Sequence, residues 1–304
     1  MSQRVTFKVG EASPANTFFA IWMAQAAGFY ETNGLNLEIV HVVGGKESGP
    51  DLTSGRIDLM HIGMSSVVRA NAAGSDLVTV GSLSNIIRNS MFTAPGIKAA
   101  ADLKGKAVGI SSAGSETDPT TTLALRKLGL KRDDVTIKEI GVKRLDAVRN
   151  GEVAASLMGE PYRSQALALG MKPIVDLYAD KTPWLYSGLV VHRKFLKDHR
   201  DRVKSFLKAT VEGNYLAVSN AEKAKPVLAK ELGITDPTIL DTTYSNFRAE
   251  TPLNAELTRE GAKNIVEVLA PANKNLDAYM GESVYNELKA EGFYATMEKK
   301  YGGR

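Results

Sequence analysis

Cysteine is missing altogether from the 304 residues. Its absence removes disulfides, thiolate nucleophiles, Cys-ligated zinc and iron–sulfur clusters in one step. Long apolar runs are missing as well: the stretch from Phe18 to Ala27 is far shorter than the roughly 20 residues a membrane-crossing helix needs, and Gln25 interrupts it. Charge of one sign is nowhere concentrated. Lys+Arg 38 against Asp+Glu 34 leaves +4, with no basic run of the kind that marks a nucleic-acid or lipid-binding arm, so no nucleic-acid partner is expected. The chain also lacks a Gly-x-Ser-x-Gly elbow, a phosphate-binding P-loop, a dinucleotide fingerprint and a His-Glu-x-x-His helix. No catalytic residue, metal ligand or cofactor is assigned. His41, His61, His192 and His199 are scattered and read as structural.

What is present is an ordinary globular composition, 43% hydrophobic and 24% charged, at a length that suits two domains. Strand and helix periods alternate from the start. Strands at Val5–Val9, Leu37–Val42, Leu59–Ile62 and Leu77–Ser82 are separated by helical patterns at Thr17–Ala27, Asp51–Ser54 and Ser66–Ala73. The pattern restarts at Ser90–Thr93 and runs through Ala107–Ile110, Pro119–Leu128, Thr136–Ile140, Leu145–Asn150, Ala154–Met158 and Ile174–Leu177. After one more strand, Gly188–His192, the chain is almost wholly helical. Such a tail builds no third sheet and has to pack on an existing unit. The expectation is therefore an α/β protein of two lobes, each a mainly parallel sheet flanked by helices. Residues 1–84 with 188–304 would form the first lobe and 88–184 the second, with a two-strand hinge near 83–89 and 183–188. Ligands of open parallel sheets bind beyond the carboxyl ends of the strands.

The turns at those ends are rich in small polar residues. Glu11, Ser13, Asn16 and Thr17 follow the first strand; Gly45 and Lys46 follow the second; Ser65 and Ser66 follow the third. In the second unit, Ser112, Ser115, Glu116 and Thr117 precede Asp118-Pro119, which reads as a helix start, and Glu160 and Tyr162 close a later strand. Trp184 and Tyr186 sit at the return crossing, as a cleft wall or as hinge packing. Helix capping alone would account for any one of these turns. Their recurrence at matching places in two lobes makes them the candidate ligand-binding residues.

Six segments in register carry a family likeness: Ala24-Gln25-Ala26-Ala27-Gly28-Phe29-Tyr30 with Gly34-Leu35; Ser54-Gly55-Arg56-Ile57-Asp58; Asp102-Leu103-Lys104-Gly105 with Val108-Gly109; Gly151-Glu152-Val153; Gly159-Glu160-Pro161-Tyr162; and Phe195-Leu196-Lys197. Through them the chain resembles the nitrate/sulfonate/taurine group of ABC-transporter substrate-binding proteins, with a type II periplasmic binding fold. In that reading Gly28 and Gly34 are left-handed turn positions. The resemblance implies a monomeric periplasmic receptor, not an enzyme, that closes on a small organic solute (sulfonate-like, carboxylate or heterocyclic) and delivers it to a membrane permease. No signal peptide precedes the first strand, which reads either as a mature start or as a cytosolic protein. The alternative on the same fold is a cytosolic enzyme of the menaquinone-pathway type. A pyrimidine synthase of the thiamine pathway is disfavoured, because its cysteine-rich iron-binding motif has no counterpart here.

Overall fold

Val5-Thr6-Phe7-Lys8-Val9 alternates as a half-buried strand does, and in the computed structural model it forms β1 (Val5–Glu11), with Phe7 and Val9 fully buried. The structure describes residues 4–12, 14–42, 48–270 and 272–302. After β1 come α1 (Phe19–Ala26), α2 (Phe29–Thr32), β2 (Leu35–His41), α3 (Ser48–Thr53), β3 (Leu59–Ile62), α4 (Met64–Ala72) and β4 (Leu77–Ile86). The second unit holds β5 (Ser90–Thr93), β6 (Ala107–Ile110), α5 (Thr117–Lys127), β7 (Thr136–Glu139), α6 (Arg144–Arg149), β8 (Ala155–Met158), α7 (Tyr162–Ala168) and β9 (Pro173–Asp176). Then β10 (Pro183–His192) leads into α8 (Arg193–Asp198), α9 (Arg200–Ser219), α10 (Ala221–Leu232), α11 (Pro237–Glu250), α12 (Arg259–Leu269), α13 (Ser283–Ala290) and α14 (Phe293–Tyr301). Gly28 and Gly34 take φ of 73° and 79°, in the left-handed region expected of them.

The strands make two five-stranded sheets, ordered β2-β1-β3-β10-β4 and β7-β6-β8-β5-β9. The two-lobed α/β class is as expected, but each sheet is mixed where a mainly parallel one was expected. Strands joined by βαβ crossovers (β2-β1-β3 and β7-β6-β8) are parallel. Those carried in by the segments that pass between the sheets run antiparallel: β10 against β3 and β4, and β5 against β8 and β9. The chain leaves the first sheet through the end of β4 and returns through the start of β10. These two segments pair with each other, Pro183 opposite Ile86 and Ser187 opposite Ser84, with register shifts on both sides of Ser187.

The helical tail does pack on the first sheet. α9 lies on α1, and α12 covers β10 and α4. Tyr30, Phe206 and Phe7 stack in series, with centroids 5.4 and 5.0 Å apart. Asp236 caps α11 by accepting from the Thr238 and Ile239 amides, with Pro237 in the first helical position. The edge of β4 is closed by a bridge from Thr79 to Met280.

The α1–α9 contact is close because Gly213 has no side chain: a Cβ there would lie 2.6 Å from Ala24 Cβ and 2.7 Å from the Ala20 carbonyl oxygen. Since backbone cannot step aside as a flexible side chain can, Gly213→Val is expected to lower unfolding free energy by about 3 kcal/mol, overriding the roughly 0.4 kcal/mol that replacing glycine by valine returns in helix propensity. Urea denaturation checks this, and an unchanged midpoint would contradict the packing argument.

Candidate functional site

A cavity of about 450 Å³ opens where the carboxyl ends of strands from both sheets meet the turns that follow them. Ala12, Ala15 and Thr17 line it after β1, and His61, Ile62 and Gly63 at the end of β3. From the second sheet come Ser111, Ser112, Ser115, Glu116 and Thr117 after β6, and Gly141, Val142 and Arg144 after β7. Val42, with Tyr186 and Ser187 of β10, completes the wall. The hydroxyls after β6 bind one another: Ser111, Ser115 and Thr117 form a triangle with edges of 2.8 Å, and the Ser111 amide donates to Thr117 Oγ1.

Glu116 leaves the second unit and ends in the first. The Ser65 amide donates to its Oε1 at 2.9 Å, and the Ser65 hydroxyl and the Trp184 indole N–H donate to Oε2 at 2.8 and 2.7 Å. The approach is possible because residue 63 is glycine: a Cβ there would sit 2.0 Å from Glu116 Oε1. Two further contacts join the same faces, Ser66 Oγ to the Gly114 carbonyl at 3.1 Å and Arg69 to Asp118 at 3.3 Å. Burial pushes the Glu116 carboxyl up to about 7, against the lowering effect of its three donors and of Arg69.

Arg144 is the cation of the lining among the described residues. Its Nε is enclosed without a hydrogen-bond partner, its guanidinium lies over the Tyr162 ring at 5.9 Å, and burial lowers its pKa. The groups that offset this are Tyr186 and Tyr162 rather than a carboxylate. His61 is held neutral by burial, its pKa lowered to about 4 although the Thr17 carbonyl bonds it. Its Nε2 contacts Ser187 Oγ, and its ring meets Phe18 edge-on at 4.9 Å.

The sequence pattern of the NMT1/THI5-like family matches residues 15–224. The chain belongs to this family. Among curated relatives, a putative aliphatic sulfonates-binding protein of Escherichia coli is 31% identical over 220 residues, covering 68% of this chain and 66% of that one. The 4-amino-5-hydroxymethyl-2-methylpyrimidine phosphate synthase of Schizosaccharomyces pombe is 25% identical over 228 residues, covering 68% and 64%. Among solved structures, the periplasmic aliphatic sulphonate binding protein of Escherichia coli superposes with a TM-score of 0.74 at 22% identity, covering 94% of this chain and 100% of that one. The relatives of this chain thus include proteins named as binding proteins and one named as a synthase.

Of the residues singled out from sequence, the fold gathers Thr17, Ser112, Ser115, Glu116, Thr117 and Tyr186 into this family member's cavity wall. Ser65 and Trp184 are buried behind it as donors to Glu116, and Ser66 bonds Gly114. Asn16 is buried and neither it nor Thr17 caps a helix; the first turn begins at Ala15. Tyr162 sits beside the wall under Arg144. Glu160 lies apart, accepting from the Ser164 amide and from Asn246 Nδ2 of α11. Glu11 lies apart too, 3.3 Å from the exposed His41 ring. Ser13, Gly45 and Lys46 lie outside the described residues. The helix expected at Pro119 starts at Thr117, and Asp118 accepts from the Gly114 amide instead of capping. Arg144, His61, Ser111 and Ser187 are the lining residues that sequence reasoning passed over. For His61 the available signal was its place at the carboxyl end of a strand.

Separating the two faces would hydrate Glu116 and return it towards the ordinary carboxylate range, so its proton favours the joined state. Solute affinity is therefore expected to be highest below the ordinary carboxyl pKa, to fall as pH rises to about 7, and to level off above, by at most about tenfold per pH unit. His61 works in the opposite sense below its usual pKa, so the measurement is a difference. Calorimetry across roughly pH 5–8 should give a slope in the wild type that Glu116→Gln lacks, and equal slopes would refute the assignment.

Proposed function

We propose that this chain is the solute-binding component of an ABC importer, acting as a monomer on the periplasmic side of the membrane, and that it delivers a small organic anion to a membrane permease. The observation that carries the reading is Arg144, a half-buried cation of the cavity wall whose Nε is enclosed without a hydrogen-bond partner and which no carboxylate among the described residues offsets. A buried charge without a partner is costly, and an anionic solute removes that cost on binding. The lobes, residues 1–84 with 188–304 and 88–184, would rotate about the paired ends of β4 and β10, and the Glu116 contacts would then form on closure.

An enzyme on this fold needs a free base or nucleophile facing the solute. Here the one carboxylate in the described lining already accepts three protein hydrogen bonds. The imidazole beside Ser187, with a pKa lowered to about 4, is a weak base for activating a hydroxyl at neutral pH. Both facts favour capture over turnover, as do the relatives named as sulfonate-binding proteins.

Native mass spectrometry of the protein as purified, followed by a thermal-shift panel of alkanesulfonates and carboxylates, tests the proposal. A retained small anion, or a ligand-dependent rise in melting temperature without consumption of the ligand, is expected. Steady conversion of a ligand to product would overturn it.

A further inference from the structure

One strand along from the Glu116 contact, a second carboxylate crosses between the lobes. Glu160 follows β8, the neighbour of β6 in the second sheet, and is buried. Its Oε1 accepts from Asn246 Nδ2 of α11 at 2.7 Å, and its Oε2 from the Ser164 amide at 3.1 Å. Each partner is fixed within its own unit. Phe247, next to Asn246, meets Phe19 of α1 edge-on at 4.8 Å, and the Tyr244 hydroxyl of the same helix donates to the Ala217 carbonyl of α9 at 2.9 Å. On the other side Arg163, 3.8 Å from Glu160 Oε1, is held by Ser90 and Asp176. One turn beyond Asn246 on the same face of α11, Glu250 lies 3.6 Å from Arg88, which stands between β4 and β5 on the outgoing crossing. The helix thus meets the crossing with one turn and the second unit with the turn before it.

We propose that the bond between Asn246 and Glu160 is a second closing contact, which tightens solute capture without touching the solute. The proposal rests on the receptor reading, in which the lobes rotate about the two crossings, and adds residues that set affinity from outside the cavity. Neither residue lines the cavity. Because each is anchored to its own lobe, rotation separates them, and a lengthening of about 1 Å takes a 2.7 Å bond beyond hydrogen-bonding range. Opening then returns the Glu160 carboxylate to water. A bond made in the closed form and lost in the open one favours closure, and whatever favours closure raises the apparent affinity for a solute that requires it.

The test exchanges charge across the contact in the full chain. Affinity for butane-1-sulfonate and for pentanoate is read by titration calorimetry at about pH 8, where carboxylates are ionised, with melting of the unliganded chain alongside. Asn246→Asp sets a second carboxylate against Glu160 in the closed form, where the two cannot both stay ionised, and is expected to weaken both probes about thirtyfold. In the open form the new carboxylate faces water, so the unliganded melting temperature should stay within a few degrees of the wild type. Glu160→Gln alone leaves one oxygen for two donors, Asn246 and the Ser164 amide, and should cost about fivefold. In the double variant the glutamine amide N–H donates to the aspartate while its oxygen accepts from Ser164, and both affinities are expected to return to within about threefold of the wild type. Losses that multiply in the double variant, or a coupling no larger in affinity than in melting, would overturn the proposal and leave the receptor reading intact. Should Asn246→Asp not fold, Asn246→Ala decides: a loss of about fivefold in affinity is expected, and unchanged affinity overturns the proposal. If neither probe binds the wild type, the organic-anion reading fails, and the proposal with it.

Discussion

Gly63→Ala is expected to bind its solute on the order of a hundredfold more weakly than the wild type while melting within a few degrees of it. Residue 63 has an extended conformation, φ −70° and ψ 155°, which alanine adopts as readily as glycine. As the residue preceding α4 it has no side-chain cap to lose, so the cost to the isolated lobe is a few tenths of a kcal/mol. The effect lies across the cleft. A Cβ would come within 2.0, 2.2 and 2.3 Å of Glu116 Oε1, Cδ and Cγ, too close for any of them to remain. Expelling that carboxylate forfeits three hydrogen bonds to a group that is charged or near its pKa. Each is worth about 1.5–3 kcal/mol when the acceptor is ionised, and water in the open form recovers part of that, so about 2–3 kcal/mol is lost from closure. Calorimetry with scattering profiles at saturating ligand checks it: the variant should stay extended where the wild type becomes compact. Unchanged affinity would mean that the Glu116 contacts play no part in closing the lobes.

Arg144→Gln should have an effect of similar or larger size on binding and the opposite effect on the empty protein. Removing the cation leaves an anionic solute enclosed without its counter-charge, which costs about 3–5 kcal/mol and weakens affinity by two to three orders of magnitude. Lysine is only a partial substitute, since it lacks the planar fork that engages two oxygens at once. Without ligand, Arg144 is a burden, because burial disfavours its charge and tyrosines are what offset it. The unliganded Arg144→Gln protein is thus expected to melt slightly higher than the wild type, a separation of stability from function found at binding sites. Thermal melts with and without ligand read both signs in one experiment. A fall in the unliganded melting temperature would show that Arg144 serves the fold and not the solute.

Much of the scaffold could be read from sequence because its signals are local. A strand such as Val5–Glu11 shows itself by alternation, and Gly28 and Gly34 mark turns because few other residues tolerate positive φ. The long helical tail fell where its periodicity placed it, and lacking a sheet of its own it had to cover the first one. The direction of β10 and β5 was not legible, since an antiparallel and a parallel neighbour present the same apolar run.

The site divides along the same line. Ser112, Ser115 and Thr117 stood out because small polar residues after a strand are a local pattern, and the strand ends are where the fold opens. Arg144 did not, because Lys143-Arg144 at the start of a short helix looks like any solvated pair of charges. Only the ring of Tyr162 and the wall of Tyr186 enclose one of the two. Glu116 was visible as a carboxylate in a promising turn, but its partners Ser65 and Trp184 stand 51 and 68 positions away. Residue types and local periodicity determined which elements form and where their polar turns lie. Which charge is left uncompensated in the cleft, and which is consumed in joining its two sides, was decided by tertiary structure, because burial and pairing depend on neighbours distant in the chain.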